Sequence, residues 1–236
     1  MLGLGSGLSS GVALSSVVLP TDISDLAFWF KNNTNIRANR WDDSSGNNNH
    51  MAQETGGNQA SVSGGGLLFV GDNSDHYDLG TAVDIGDNNP FTMIIVAELN
   101  TYDSQNCILG DNNDAALFLE FQQEDQMRYR QTGSAAVLKF SESTPFPTET
   151  KFMVTLTKDT SRNLVVYKNG SVLNQDGSSN NPVPSGTFGC DQVGGRSSSP
   201  DRDFDGIIYE LLLYEKELST AELSGVHAEI QSRNGL

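Results

Sequence analysis

Apolar residues in this chain come in short runs separated by clusters of Gly, Asn, Asp and Ser. The most β-prone run is Phe91 to Leu99, apolar except at Thr92 and Glu98. Such a run reads as a strand buried on both faces, with Met93, Ile95 and Ala97 on one side and Ile94 and Val96 on the other. A second run, Ile207 to Tyr214, follows the turn signal Asp205-Gly206 and is broken only by Glu210. Further strands are predicted over Leu26 to Lys31, Leu67 to Val70, Cys107 to Leu109, Ala115 to Gln122, Met127 to Gln131 and Ala136 to Phe140. Phe152 to Lys158 and Asn163 to Tyr167 pair as a hairpin, and Asn169-Gly170 signals a type I′ turn into Ser171-Val172-Leu173. Residues 32 to 66, and 177 to 186 with their two prolines, lack periodicity and read as loop. The pattern changes once. Ser219-Thr220-Ala221-Glu222 is a capping box, and Leu223, Val226 and Ile230 form an apolar stripe on a short C-terminal helix.

About a dozen short strands with no internal repeat predict one all-β unit, a jelly-roll sandwich of two antiparallel sheets closed by that helix. The unit spans residues 22–236. Residues 1–21 precede it as an N-terminal arm without a single charge. The arm lacks the basic start and continuous apolar core of a signal peptide, and is too rich in Gly and Ser for a membrane helix. Leu2, Leu4, Leu8, Leu14, Val17, Val18 and Leu19 gain from burial, while Gly3, Gly5, Gly7 and Gly11 make ordering costly. The arm reads as a segment that orders against a partner, in a homo-oligomer or on a larger particle.

Charge narrows the partners. The chain carries a net −16, which excludes nucleic acid and anionic membrane surfaces as expected partners. Cys107 and Cys190 lack metal-ligand spacing and read as buried free thiols, with a disulfide as the alternative.

Four segments carry a resemblance. Phe204, Gly206, Ile208, Glu210, Tyr214, Leu218, Ser219 and Glu222 fit the closing motif of laminin-G-like domains, members of the concanavalin A-like lectin/glucanase superfamily. Leu164 to Gly170 resembles that family's Tyr-x-Asn-Gly hairpin. Gly66 to Tyr77 and Trp41 to Asn47 resemble two of its loop segments. An uncharged arm ahead of such a domain is similar to virion structural proteins of tailed bacteriophages. The resemblance implies a non-enzymatic component of a capsid, tail or fibre, displayed on the virion surface and attached to other virion proteins through its arm. A carbohydrate-binding module or adhesin is the alternative, because one fold hosts many functions.

The candidate chemistry is sparse. Glucanases need two carboxylates on one strand face, and Glu120 to Asp125 comes nearest to their signature without matching it. His50, His76 and His227 are isolated. No cofactor is expected, although Asp201, Asp203 and Asp205 with Gly206 match the start of a calcium loop whose final bidentate Glu is replaced by Leu212. Asp72, Asn73 and Asp75 with Asp42 and Asp43 form a second acidic set. Glycan recognition needs an aromatic ring beside hydrogen-bonding side chains, which makes Trp41, Asp43, Asp75, Tyr77, Tyr102 and Asn112 the candidates. For Trp41 and Tyr77 the competing reading is a ring that plugs the sandwich.

Overall fold

The computed structural model describes residues 18–102, 106–114, 116–131, 136–196 and 203–236. In chain order the strands are β1 (Leu26–Phe30), β2 (Ile36–Arg37), β3 (Arg40–Trp41), β4 (Met51–Ala52), β5 (Ser61–Ser63), β6 (Gly66–Phe69), β7 (Tyr77–Ile85) and β8 (Phe91–Leu99). There follow β9 (Asn106–Gly110), β10 (Phe118–Gln123), β11 (Gln126–Arg130), β12 (Ala136–Lys139), β13 (Phe152–Lys158) and β14 (Leu164–Lys168). Last come β15 (Ser171–Val172), β16 (Phe188–Val193), β17 (Gly206–Tyr214) and the helix α1 (Thr220–Asn234).

Among the described residues these strands make two antiparallel sheets. The first runs β15-β14-β13-β8-β17-β6-β5, with β1 also paired to β17. The second runs β12-β11-β10-β9-β16-β7-β4-β3-β2. The alternation in β8 divides its side chains as the pattern predicts. Met93, Ile95 and Ala97 enter the core between the sheets, whereas Ile94 and Val96 join a second cluster on the outer face of the first sheet. α1 covers that outer face with Leu223, Val226 and Ile230. Each such side chain contributes roughly 1.5–3 kcal/mol on burial.

Glu210 interrupts an apolar strand for a geometric reason. The register of β17 against β8 slips between Ile208 and Glu210, which is a β-bulge. Tyr209 and Glu210 therefore both lie on the outer face of the sheet, between the inward Ile208 and Leu211, and Glu210 meets α1. Fully buried there, Glu210 accepts Trp29 Nε1–H at 2.6 Å, Asn234 Nδ2–H at 2.7 Å and Arg233 Nε–H at 3.3 Å. Burial raises its carboxyl, against the pull of the Arg233 guanidinium. The other end of α1 is fixed by the predicted capping box. Ser219 Oγ accepts Glu222 N–H at 3.3 Å, and Glu222 Oε2 accepts Ser219 N–H at 2.8 Å.

Two turns need the residues they hold. At Gly206, with φ +150°, a Cβ would lie 2.1 Å from the Glu98 carbonyl oxygen. Asn169 and Gly170 both take positive φ, 48° and 83°, as a type I′ turn requires.

The sequence reading missed several strands. β7 and β16 alternate inward apolar residues with outward polar ones and Gly, which dilutes a run-based signal. β2 to β5 lie in the stretch read as loop; strands of two or three residues are fixed by sheet pairing rather than by their own pattern. Cys107 and Cys190 are buried free thiols. In the arm, Leu2, Leu4, Leu8, Leu14 and Val17 lie outside the described residues. Val18 packs against Gly225 of α1, and Leu19 is 43% exposed.

Candidate functional site

The residues singled out from sequence for glycan binding are mostly engaged by the fold itself. Trp41 is fully buried, with Nε1–H donated to the Lys31 carbonyl at 3.2 Å and its ring 6.0 Å from Phe30. Tyr77 is fully buried and donates its hydroxyl to the Ala38 and Ala60 carbonyls at 2.5 and 3.3 Å. Rings with no exposed face do not stack on a sugar, so these two plug the sandwich. Asp43 accepts from Trp29 N, Ser45 N, Ser45 Oγ and Asn49 N at 2.7–3.0 Å, organising its own loop. Asp75 is buried and accepts Val70 N–H at 2.9 Å; burial raises its carboxyl. Tyr102 donates its hydroxyl to the Phe146 carbonyl. Asn112 is exposed, and its N–H goes to Asp191 Oδ1 at 2.6 Å.

The acidic loop also divides. Asp201 lies outside the described residues. Asp203 is buried beside Gly195, and Asp205 Oδ1 accepts Asn100 Nδ2–H at 3.0 Å. Phe204 between them points into the core. Asp42, of the second acidic set, is ion-paired to Arg40 and Arg37, which hold its carboxyl below the usual range. Among the described residues no cluster of three or more metal-ligating side chains forms. The carboxylate nearest to a glucanase signature, Glu120, is fully buried on the outer face of the second sheet, 2.9 Å from Arg128 Nη1 and 3.8 Å from Arg196 Nη2.

Unengaged polar groups gather elsewhere. A groove of about 560 Å³ lies on the outer face of the first sheet, between α1 and the β14–β15 hairpin. Thr157 and Tyr167 form its floor. The Asn169–Ser171 turn makes one wall, and α1 makes the other with Thr220, Ser224, His227, Ala228 and Gln231. Glu217 and Leu218 close one end. Tyr167 is half-buried, its ring edge-on to His227 at 5.8 Å. Burial and then the Glu217 carboxylate keep its phenol above the ordinary range, and so neutral. Among the described residues, no internal hydrogen bond engages the Tyr167, Ser171, Thr220 or Ser224 hydroxyls or the Glu217 carboxylate. Asn169 accepts Met153 N–H through Oδ1 at 2.8 Å and Gln231 Nε2–H through its carbonyl at 2.9 Å. This leaves Asn169 Nδ2 and Gln231 Oε1 to face a ligand.

A second groove, of about 490 Å³, runs across β4 and β7 and is lined by Arg40, Asn48, His50, Gln53, Glu54 and Asp78 among others. Among the described residues no Phe, Tyr or Trp lines it.

None of the first groove's polar residues was singled out for binding by sequence. Two signals were available. Inward Leu164 and Val166 set Tyr167, by parity, on the outer face beside an Asn-Gly turn. Thr220, Ser224, His227 and Gln231 recur at helical spacing as a polar stripe beside the buried one.

Comparison with known proteins fits this picture of the fold. The family model described as the concanavalin A-like lectin/glucanases superfamily matches residues 71–224. No curated protein matches the sequence. Among solved structures, the chain is similar to Trypanosoma rangeli sialidase, with a TM-score of 0.59 and 18% identity over 89% of this chain and 33% of that one. It is also similar to the binding domain of botulinum neurotoxin serotype D/C, with a TM-score of 0.58 and 14% identity over 89% and 53% of the two chains. A third similar structure belongs to botulinum neurotoxin type C, whose cell entry depends on interaction with two ganglioside molecules (TM-score 0.51, 16% identity, 89% and 52% covered). The chain thus spans a third of the sialidase and about half of the toxin structures.

Proposed function

The chain belongs to the concanavalin A-like lectin/glucanases superfamily, and from that premise we propose that it is a carbohydrate-binding module whose ligand lies in the groove between α1 and the β14–β15 hairpin. The observation that carries this reading is the set of unengaged hydroxyl, amide and carboxylate groups around the half-exposed Tyr167. A sugar presents C–H faces that pack on an aromatic ring, and hydroxyls that both donate and accept. Asn169 Nδ2 donates, Gln231 Oε1 and Glu217 accept, and the Ser and Thr hydroxyls do either. The volume falls within the roughly 300–1,000 Å³ of small-molecule sites.

Binding is favoured over hydrolysis for a chemical reason. Most glycoside hydrolases use a pair of carboxyl groups, and among the described residues Glu217 is the one carboxylate lining the groove. Sialidases use a tyrosine nucleophile instead, but among the described residues no base is hydrogen-bonded to the Tyr167 hydroxyl, and burial keeps its phenol neutral. The fully buried Glu120 and Glu210 lie on the outer faces of different sheets, each held by arginine.

A printed glycan array probed with labelled protein, followed by calorimetry on the hits, tests the proposal. Tyr167→Ala should weaken binding by about tenfold or more, the scale of losing one stacked ring of ~1.4 kcal/mol. Tyr167→Phe should retain most of the affinity. Binding that survives Tyr167→Ala unchanged, or the absence of any hit, would sink the proposal.

A further inference from the structure

Resting on that reading, we propose that the groove selects its glycan by charge: it takes neutral sugars, or sugars bearing a free ammonium, and turns away those bearing carboxylate or sulfate. The argument is a census of the ionisable groups that face the ligand. Glu217 is exposed, lines the groove and is in no ion pair among the described residues. Among the described residues, no lysine or arginine lines the groove. His227 does, but it sits 5% exposed with Nε2 2.8 Å from Thr155 Oγ1; burial lowers it to about 4, so it is neutral near pH 7. The nearest cations in the chain segments that build the walls are already committed. Lys216 Nζ is 2.8 Å from Glu222 Oε1, and Lys168 Nζ is 3.4 Å from Glu142 Oε1. The positive end of α1 adjoins the groove at Thr220, but the Glu222 carboxylate, accepting Ser219 N–H at 2.8 Å in the same turn, offsets it.

An anionic sugar in this groove would meet a like charge with no compensating partner, which disfavours binding by an amount that grows as water leaves the site. An ammonium group would meet Glu217 as a partner. The net charge of −16 acts in the same direction at longer range.

The array separates this inference from the reading beneath it. Wild type is probed beside Tyr167→Ala and Glu217→Lys at about 150 mM salt, where exposed charges act over roughly 8 Å. Hits lost in Tyr167→Ala are sorted into neutral, amino and acidic glycans. Neutral and amino glycans should make up those hits, with acidic forms of the same backbone at least tenfold weaker. Glu217→Lys should reverse the order and gain acidic glycans. Circular dichroism checks that this exposed substitution leaves the fold intact. Tyr167-dependent hits that are mainly acidic, or a ranking unmoved by Glu217→Lys, overturn the charge selection while the groove stands. Absence of Tyr167-dependent hits overturns the groove and this inference together.

Discussion

His227 is the residue through which pH reaches the helix. Its ring is held between Thr155 and Tyr167 beneath α1, and desolvation lowers it from its ordinary value of 6.5 to about 4. Between those values the unfolded chain binds a proton that the folded chain does not. The stability His227 confers is therefore complete above pH 6.5, and is lost as pH falls toward 4. The loss amounts to about 3 kcal/mol in all. Urea unfolding at pH 7 and at pH 4.5 should show this decline, and His227→Gln should remove most of it. An equal decline in the variant would mean that carboxylates alone set the acid limit. Single residues also show what sequence reading finds hard. Trp41 and Tyr77 have the chemistry of a sugar site, but the fold engages their polar atoms and buries their rings. Tyr167 has the same chemistry and keeps its hydroxyl unengaged. Composition and spacing assign chemistry to a side chain; only packing decides whether the fold has already used it.

At the scale of elements, legibility followed burial on both faces. β8 and β17 stood out because each packs the sandwich core on one side and the helix-covered cluster on the other, which demands apolar residues at nearly every position. β7 and β16 meet the core on one face only, so Asp, Gln and Gly take three of nine positions in β7 and three of six in β16. β2, β3 and β4 owe their existence to pairing with β7 and with one another, an interaction that spans distant stretches of chain. The helix was legible from its cap and its apolar stripe, and the cap can be tested. Ser219→Ala removes an acceptor for Glu222 N–H and should cost about 1 kcal/mol. Thermal unfolding should show a fall of a few degrees, since 1 kcal/mol corresponds to about 2–4 °C for a domain of this size. An unchanged midpoint would show that water replaces the hydroxyl at no cost.

For the molecule as a whole, two sheets and a docked helix follow from a pattern visible in one dimension, whereas the groove does not. Its lining comes from β13, the β14–β15 hairpin, the loop after β17 and α1, brought together only when the helix lies down on the sheet. The helix is tied there at both ends, by Leu218 N–H donated to Thr92 Oγ1 of β8 at 2.9 Å just ahead of its cap, and by Glu210 at Arg233 and Asn234. Cutting the second tie with Glu210→Ala leaves Arg233 and Asn234 without their buried acceptor, and should cost about 3 kcal/mol in chemical denaturation. The two ties have a consequence for capture. On the proposed reading, one wall of the groove is in its final place before a sugar arrives, so the site loses little freedom of its own on binding. Glu210 does not line the groove, yet the cavity's rigidity depends on it. Calorimetry on the Glu210→Ala variant should therefore show weaker association through a less favourable entropy, with the enthalpy of the sugar contacts nearly unchanged.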